Sequence, residues 1–243
     1  GDDEKIQGAD LLVYNGLGLE HGASLSALIA SHPRKFAIGG AIERLHPEKI
    51  LWVEEAKDPH IWMDISLWAE GIDPLLQEMI AIDPEGKEEY SRKAAALRQK
   101  MAAADQEIFE RMQSIPSERR FLVTSHDAFQ YFARRYLKEK DELDWEKRFK
   151  APEGLSPDGQ LNPLDIQKII DHLALHRIHV LFPESNVSRD SIRKIADAGK
   201  KIGLEIHISK EVLYGDSLKG DYLDGMLHNA NAIVRSLSEK END

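Results

Sequence analysis

The segment PEGKEEYSRKAAALRQKMAAADQEIFERMQ, residues 84–113, decides the fold. Its apolar residues Tyr90, Ala94, Leu97, Met101, Ala104, Ile108 and Met112 recur at steps of three and four, with Lys, Arg, Glu and Gln between them. That period marks one face of an α-helix. Pro84 suits a first helical turn, and Ser114-Ile115-Pro116-Ser117 ends the pattern. The spacing predicts a single helix of roughly 25–30 residues, about 40 Å long at 1.5 Å per residue. Such a stripe serves as a coiled-coil seam or as a spine packed along two domains; in a chain of 243 residues we read a spine.

On both sides of it, short apolar runs alternate with amphipathic stretches. Upstream, Leu11–Tyr14 and Phe36–Ile38 read as strands, each closed by glycine, with a helix over Ala23–Ala30 between them. A helix is expected from near Ser66 to about Ile80. Downstream, Phe121–Thr124, Ile178–Phe182 and Glu205–Ser209 read as strands. Helices are expected over Asp127–Tyr136, Asp165–His176, Ser188–Ile202 and Tyr222–Leu237. Apolar runs without alternation suit strands buried on both faces of a parallel sheet. The charged, Pro/Gly-containing stretch Lys138–Asn162 reads as a surface loop. The expected architecture is α/β: an N-terminal lobe over 1–83, a linking helix over 84–115 and a C-terminal lobe over 116–243, with mainly parallel sheets.

Composition narrows the chemistry. The chain is 42% hydrophobic and 31% charged, within the globular range, and has no apolar run of membrane-spanning length. A net charge of −11 argues against a nucleic-acid partner. There is no cysteine, so disulfides, thiolate metal sites and cysteine nucleophiles are excluded, and any metal site must use His, Asp, Glu or neutral oxygens. The opening GDDEKIQGAD has neither the basic nor the apolar region of an export signal, so none is expected in this chain.

Ligand sites of α/β folds lie beyond the carboxyl ends of the strands. His126 follows the run Phe121–Thr124, Asp216 follows Glu205–Ser209, and His60 lies in the loop Asp58-Pro59-His60. Imidazole with carboxylate suits zinc, manganese or iron(II). Ten histidines make chance placement a real competitor. His172 and His176 have ligand spacing on a helix but lack the glutamate of a metalloprotease motif, and read as solvated or packed residues. His21, His32, His46, His207 and His228 read as surface or satisfied core histidines.

Five ordered motifs resemble the manganese/zinc/iron receptors of bacterial ABC importers. They are Ala9–Gly16 with Leu19-Glu20, Asp58-Pro59-His60-Ile61-Trp62-Met63-Asp64, Ser125-His126-Asp127-Ala128-Phe129 with Tyr131-Phe132, Phe182-Pro183-Glu184-Ser185-Asn186, and Leu213-Tyr214-Gly215-Asp216-Ser217-Leu218. The resemblance implies two lobes joined by a rigid helix with a metal in the cleft. His60 would be a ligand from the first lobe, and His126 and Asp216 ligands from the second. Glu184 would orient a ligand. It implies one manganese, zinc or iron ion as cargo, and an ABC permease as partner. A monomer is expected, periplasmic or anchored on the outer face of the cytoplasmic membrane, with no catalytic role. The family's first ligand histidine would lie upstream of Gly1, so three ligands are expected from this chain. The His-rich loop of dedicated zinc receptors is missing between Phe36 and Asp58. The rival readings are a zinc metallohydrolase with Glu184 as general base, and a surface adhesion protein on the same fold.

Overall fold

The computed structural model describes residues 2–154 and 161–238. The chain forms two compact units, Gly1–Ala103 and Ala104–Asp243. Among the described residues no helix is long and apolar enough to cross a membrane.

In the first unit the strand Leu12–Tyr14 pairs in parallel with Lys35–Ala37, and the helix Ala23–Ser31 connects them. A second helix, Ile38–Leu45, starts at once after Lys35–Ala37. Gly39-Gly40 therefore lies inside a helix instead of closing a strand. A close approach requires glycine here: the Gly39 amide donates to Asn15 O at 2.7 Å, and a Cβ on Gly39 would stand 2.6 Å from that oxygen. A short antiparallel hairpin, Trp52–Val53 with Ala56–Lys57, leads into the Asp58–Asp64 segment. Asp64 caps the helix Ile65–Ala69 by accepting from Leu67 N at 3.0 Å. The expected single helix is two, because the chain re-starts at Gly71 as Ile72–Ile82. Ile42, Ile61, Met63 and Ile65 are fully buried, so the residues flanking His60 are anchored in this unit's core.

The helix Lys87–Gln113, 27 residues, begins in the first unit and ends in the second, after a 3-10 turn at Pro84–Gly86. Ala94, Met101, Ala104, Ile108 and Met112 of its stripe are buried, whereas Leu97 is 44% exposed. Asp105 on this helix is buried. It accepts from Arg135 Nε at 3.0 Å and from the Tyr136 hydroxyl at 2.8 Å, which ties the helix to the second unit's aromatic core.

That unit is built on parallel strands. Leu122–Val123 pairs with Phe149–Lys150, and Val180–Leu181 pairs with His207–Ile208. An isolated parallel bridge, Thr124 to Phe182, joins the two pairs, so the spatial order is 149–150, 122–123, 180–181, 207–208. Further bridges, His126 to Glu153 and Glu184 to Leu213, extend the same alignment past the carboxyl ends. Helices Pro163–His176 and Asp190–Lys201 cover the sheet through Ile169, Leu173, Ile192 and Ile195. Asn162 caps the first of them at Asp165 N, 2.9 Å, with Pro163 at its first position. The helix Tyr222–Ser238 closes the chain's described part.

Two stretches of this unit differ from expectation. Asp127–Tyr136 forms only a short α-helix, Gln130–Phe132, continued by a π-helical turn, Ala133–Leu137. The 138–162 stretch is more than a surface loop. It contains the 3-10 turn Trp145–Arg148 and the strand Phe149–Lys150, and both Arg148 and Phe149 are buried. Arg148 donates to Glu142 at 3.0 Å and to Ser117 O at 2.6 Å, and its guanidinium lies 4.8 Å above the Phe121 ring. Residues 155–160 of the stretch lie outside the described ones.

Candidate metal centre

His60 is held within the first unit by its own motif. Its Nδ1 lies 2.7 Å from Asp58 Oδ1, and its backbone N–H donates to the same oxygen at 3.0 Å. Both residues are fully buried. A carboxylate on Nδ1 fixes the tautomer and leaves Nε2 as the nitrogen that can offer a lone pair to a cation. The loop is braced from the first strand. The Asn15 amide donates to Pro59 O and to Gly16 O, both at 2.9 Å. Glu20 in turn accepts from Asn15 N at 2.7 Å and from Gly16 N at 2.9 Å. Asn15-Gly16 and Glu20 thus shape the ground on which His60 stands.

In the second unit the three strand-end residues converge. His126 follows the Leu122–Val123 strand, Glu184 the Val180–Leu181 strand and Asp216 the His207–Ile208 strand. The imidazole is fully buried between two carboxylates. Nδ1 is hydrogen-bonded to Glu184 Oε2, and Nε2 lies 3.2 Å from Asp216 Oδ2. Glu184 also accepts from His126 N–H at 3.2 Å and is buried. Asp216 is the partly exposed member, its side chain 26% accessible. One carboxylate is therefore spent on orienting the ring, while the other, partly exposed, stands at the buried Nε2.

Gly215 makes the approach possible. A Cβ there would stand 3.2 Å from Glu184 Oε2, 3.4 Å from His126 Cε1 and 3.4 Å from Ala128 Cβ. Gly215→Ala should push the Asp216 loop away from the imidazole and weaken cation binding by roughly tenfold, in the range seen when groups that orient ligands are disturbed. Isothermal titration with Mn²⁺ would measure it; unchanged affinity would contradict the close approach.

The electrostatics follow from the same contacts. Burial pushes the His126 imidazole down, but the hydrogen bonds to Asp216 and Glu184, with their charges, outweigh it and raise it from 6.5 to about 10. In the metal-free fold the proton-bound ring contributes stability that is fully present below 6.5 and is lost as pH rises through about 10. A cation at Nε2 must expel that proton. Affinity should therefore rise by about tenfold per pH unit across roughly pH 6–9, with one proton released per ion. Calorimetry in buffers of different ionisation enthalpy reads this directly, and pH-independent binding would refute it.

The remaining histidines do other things. His176 stacks on Phe121 and meets His172 edge-on, ring centroids 4.6 Å apart in each pair, and both imidazoles are pushed down, mainly by burial, His172 to about 4. His32 bridges Ala9 O and Arg34 N, His179 lies on Glu205 O, and His228 lies on Val212 O. His21 is exposed on Leu19 O. Sequence reasoning missed Asp58 as the partner of His60 and Asn229 behind the Asp216 loop. The second had a signal, an amide on the apolar face that carries Met226, Ala230 and Ile233.

The chemistry this arrangement supports is the capture of a cation by nitrogen and oxygen donors. A hydrolase would need Glu184 facing a metal-bound water. Here its two oxygens are engaged by the ring and backbone of His126.

The sequence profile of the family described as zinc-uptake complex component A, periplasmic, matches residues 1–236. The crystal structure of Fe(III)-bound YtgA from Chlamydia trachomatis is 30% identical, with a TM-score of 0.93 over 100% of this chain and 85% of that one. The periplasmic zinc binding protein TroA from Treponema pallidum is 27% identical, with a TM-score of 0.85 over 98% of this chain and 84% of its own. The manganese-binding lipoprotein MntA of Bacillus subtilis (strain 168) is 30% identical over 247 residues, 98% of this chain and 76% of that protein.

Proposed function

The chain belongs to the family of zinc-uptake complex component A periplasmic proteins, and from that premise we propose that it is an extracytoplasmic receptor that captures one transition-metal ion and delivers it to the permease of an ABC importer. The similar proteins carry iron, zinc and manganese in their names, so the cargo is drawn from these three. His126 and Asp216 supply a nitrogen and an oxygen from the second unit, and His60 supplies a nitrogen from the first. Glu184 and Asp58 hold the two imidazoles in the tautomer that presents Nε2 to the ion.

The observation that carries this reading is the His126 imidazole gripped between Glu184 and Asp216 at the carboxyl ends of parallel strands. A buried ring with one carboxylate orienting it and a second beside its other nitrogen is a cation site in waiting. The protein acts without turnover, as a single copy, and outside the cytoplasm; nucleic acid is no partner for a chain of net charge −11.

The test is metal loading of the purified, chelator-stripped protein with Mn²⁺, Zn²⁺ or Fe²⁺, followed by elemental analysis after desalting. One ion per chain is expected, with no hydrolysis of ester or phosphate substrates by the loaded protein. Failure to retain any of the three ions, or Glu184-dependent hydrolysis, would overturn the reading.

A further inference from the structure

The Asp216 loop is held from behind by the helix Tyr222–Ser238, and one contact stands apart from the others. Asn229 on that helix is fully buried. Its Oδ1 accepts from Tyr214 N–H at 2.8 Å, and its Nδ2 donates to Tyr214 O at 2.8 Å. A single primary amide thus satisfies both backbone groups of one residue through two separate atoms, which no carboxylate or apolar side chain can do. The preceding residue is fixed from the other side. Leu213 N donates to Pro183 O at 2.8 Å, and Leu213 O accepts from Ser185 N at 2.9 Å, on the segment that carries Glu184. Tyr214 is therefore pinned between the helix and the Glu184 segment. Only Gly215, packed against Glu184 and His126, separates it from Asp216.

We propose that Asn229 is a positioning residue of the cation site, fixing the Tyr214 backbone and so setting where the Asp216 carboxylate meets the His126 imidazole. The proposal rests on reading His126 and Asp216 as ligands. The same helix also meets the loop through His228, on Val212 O and beside the Tyr214 ring, and through the Arg235–Glu211 ion pair at 2.7 Å, which is exposed at its arginine end and whose Glu211 lies five residues from Asp216 in sequence. Exposed pairs contribute little, so this pair serves as the control.

The experiment measures Mn²⁺ and Zn²⁺ affinity, thermal midpoint in EDTA and the visible spectrum of the Co²⁺-loaded protein. The variants are Asn229→Leu, Asn229→Asp, Asp216→Asn, the Asn229→Leu/Asp216→Asn double, Arg235→Ala and His126→Ala. Asn229→Leu, close in size but without polar atoms, should weaken binding on the order of 10–100-fold and shift the Co²⁺ bands in the direction that Asp216→Asn shifts them. Asn229→Asp should fall between it and the unaltered protein, because a carboxylate accepts from Tyr214 N–H but cannot donate to Tyr214 O. Arg235→Ala should leave affinity unchanged.

The deciding readout is coupling. If Asn229 acts through Asp216, the double variant should bind about as weakly as Asp216→Asn alone. Effects that multiply, or an Asn229→Leu protein that binds within about twofold of the unaltered chain, would overturn the proposal. Should Asn229→Leu fail to fold in EDTA, Asn229→Asp is read against Asp216→Asn in the same way. An unaltered protein that binds none of these ions, or a His126→Ala protein that binds normally, would instead refute the ligand assignment. Retained dependence on His126 with no dependence on Asn229 would refute this proposal alone.

Discussion

His126→Ala is expected to weaken capture of Mn²⁺ or Zn²⁺ by at least about a thousandfold, roughly 4 kcal/mol. Two losses act together. The Nε2 donor disappears, and the ring that separated Glu184 from Asp216 is gone, so a buried carboxylate loses the partner that holds it. The metal-free fold should also melt earlier, because Glu184 is left buried with its main hydrogen-bonding ring removed. His176→Ala is the contrasting case. That imidazole is stacked on Phe121, so its loss should cost packing alone and leave affinity within a few-fold. Competition titration against a fluorescent chelator measures both variants. Equal effects of the two substitutions would remove His126 from the site.

Glu142→Ala is the second large effect expected, and it falls on stability. Arg148 and Glu142 are nearly inaccessible, with side chains 5% and 7% exposed. Burial opposes ionisation of Glu142, but bonds from Arg148, from the Glu139 amide and from Lys147 outweigh it and hold the carboxyl down at about 2. Removing the carboxylate leaves the guanidinium buried over Phe121 with its charge uncompensated, although Ser117 O still accepts from it. Breaking one side of a buried pair costs about 3–5 kcal/mol, which corresponds to a drop in melting midpoint on the order of 10 °C. The sign of the pH dependence follows. The contribution of Glu142 is present above its ordinary value of 4.5 and is lost as pH falls toward about 2. Thermal melts of the two proteins between about pH 2 and 7 should therefore converge at the acid end. A constant gap would mean the carboxylate's charge is not what stabilises the segment.

The long helix was legible because its apolar spacing is local. The stripe predicts its face, and Met101, Ala104, Ile108 and Met112 are indeed buried. It does not say which positions along that face are covered, and Leu97 is exposed. The strands Leu122–Val123 and Val180–Leu181 were legible for the same reason, as apolar runs bounded by polar residues. The 138–162 stretch was illegible. Its charges read as solvated, and nothing in spacing reveals that Arg148 and Glu142 neutralise each other out of water. The glycines misled in one place, since Gly39 answers to an oxygen of Asn15 far away in sequence.

For the candidate site, placement after strands drew attention to His126 and Asp216 among ten histidines and many acids, and only the family resemblance pointed to Glu184. What each carboxylate does required geometry. Glu184 binds Nδ1 and Asp216 stands by Nε2, a division of labour that depends on which side of the ring each strand end approaches. Asp58 lies only two residues from His60, yet its role depends on the turn at Pro59 bringing its oxygen back onto the ring. Those supports are three-dimensional facts. The family resemblance supplied ligand candidates and Glu184 as the group that orients one of them, but not Asp58 or Asn229.

The central claim is that one ion is shared by His60, His126 and Asp216. Anomalous diffraction from crystals grown with Mn²⁺, recorded on both sides of the manganese edge, tests it most directly. The account predicts one manganese peak per chain, about 2.0–2.2 Å from His60 Nε2, His126 Nε2 and an Asp216 oxygen, with Glu184 on Nδ1 and off the metal. A peak bonded to His126 and Asp216 but remote from His60, or one seated on Glu184, would contradict it.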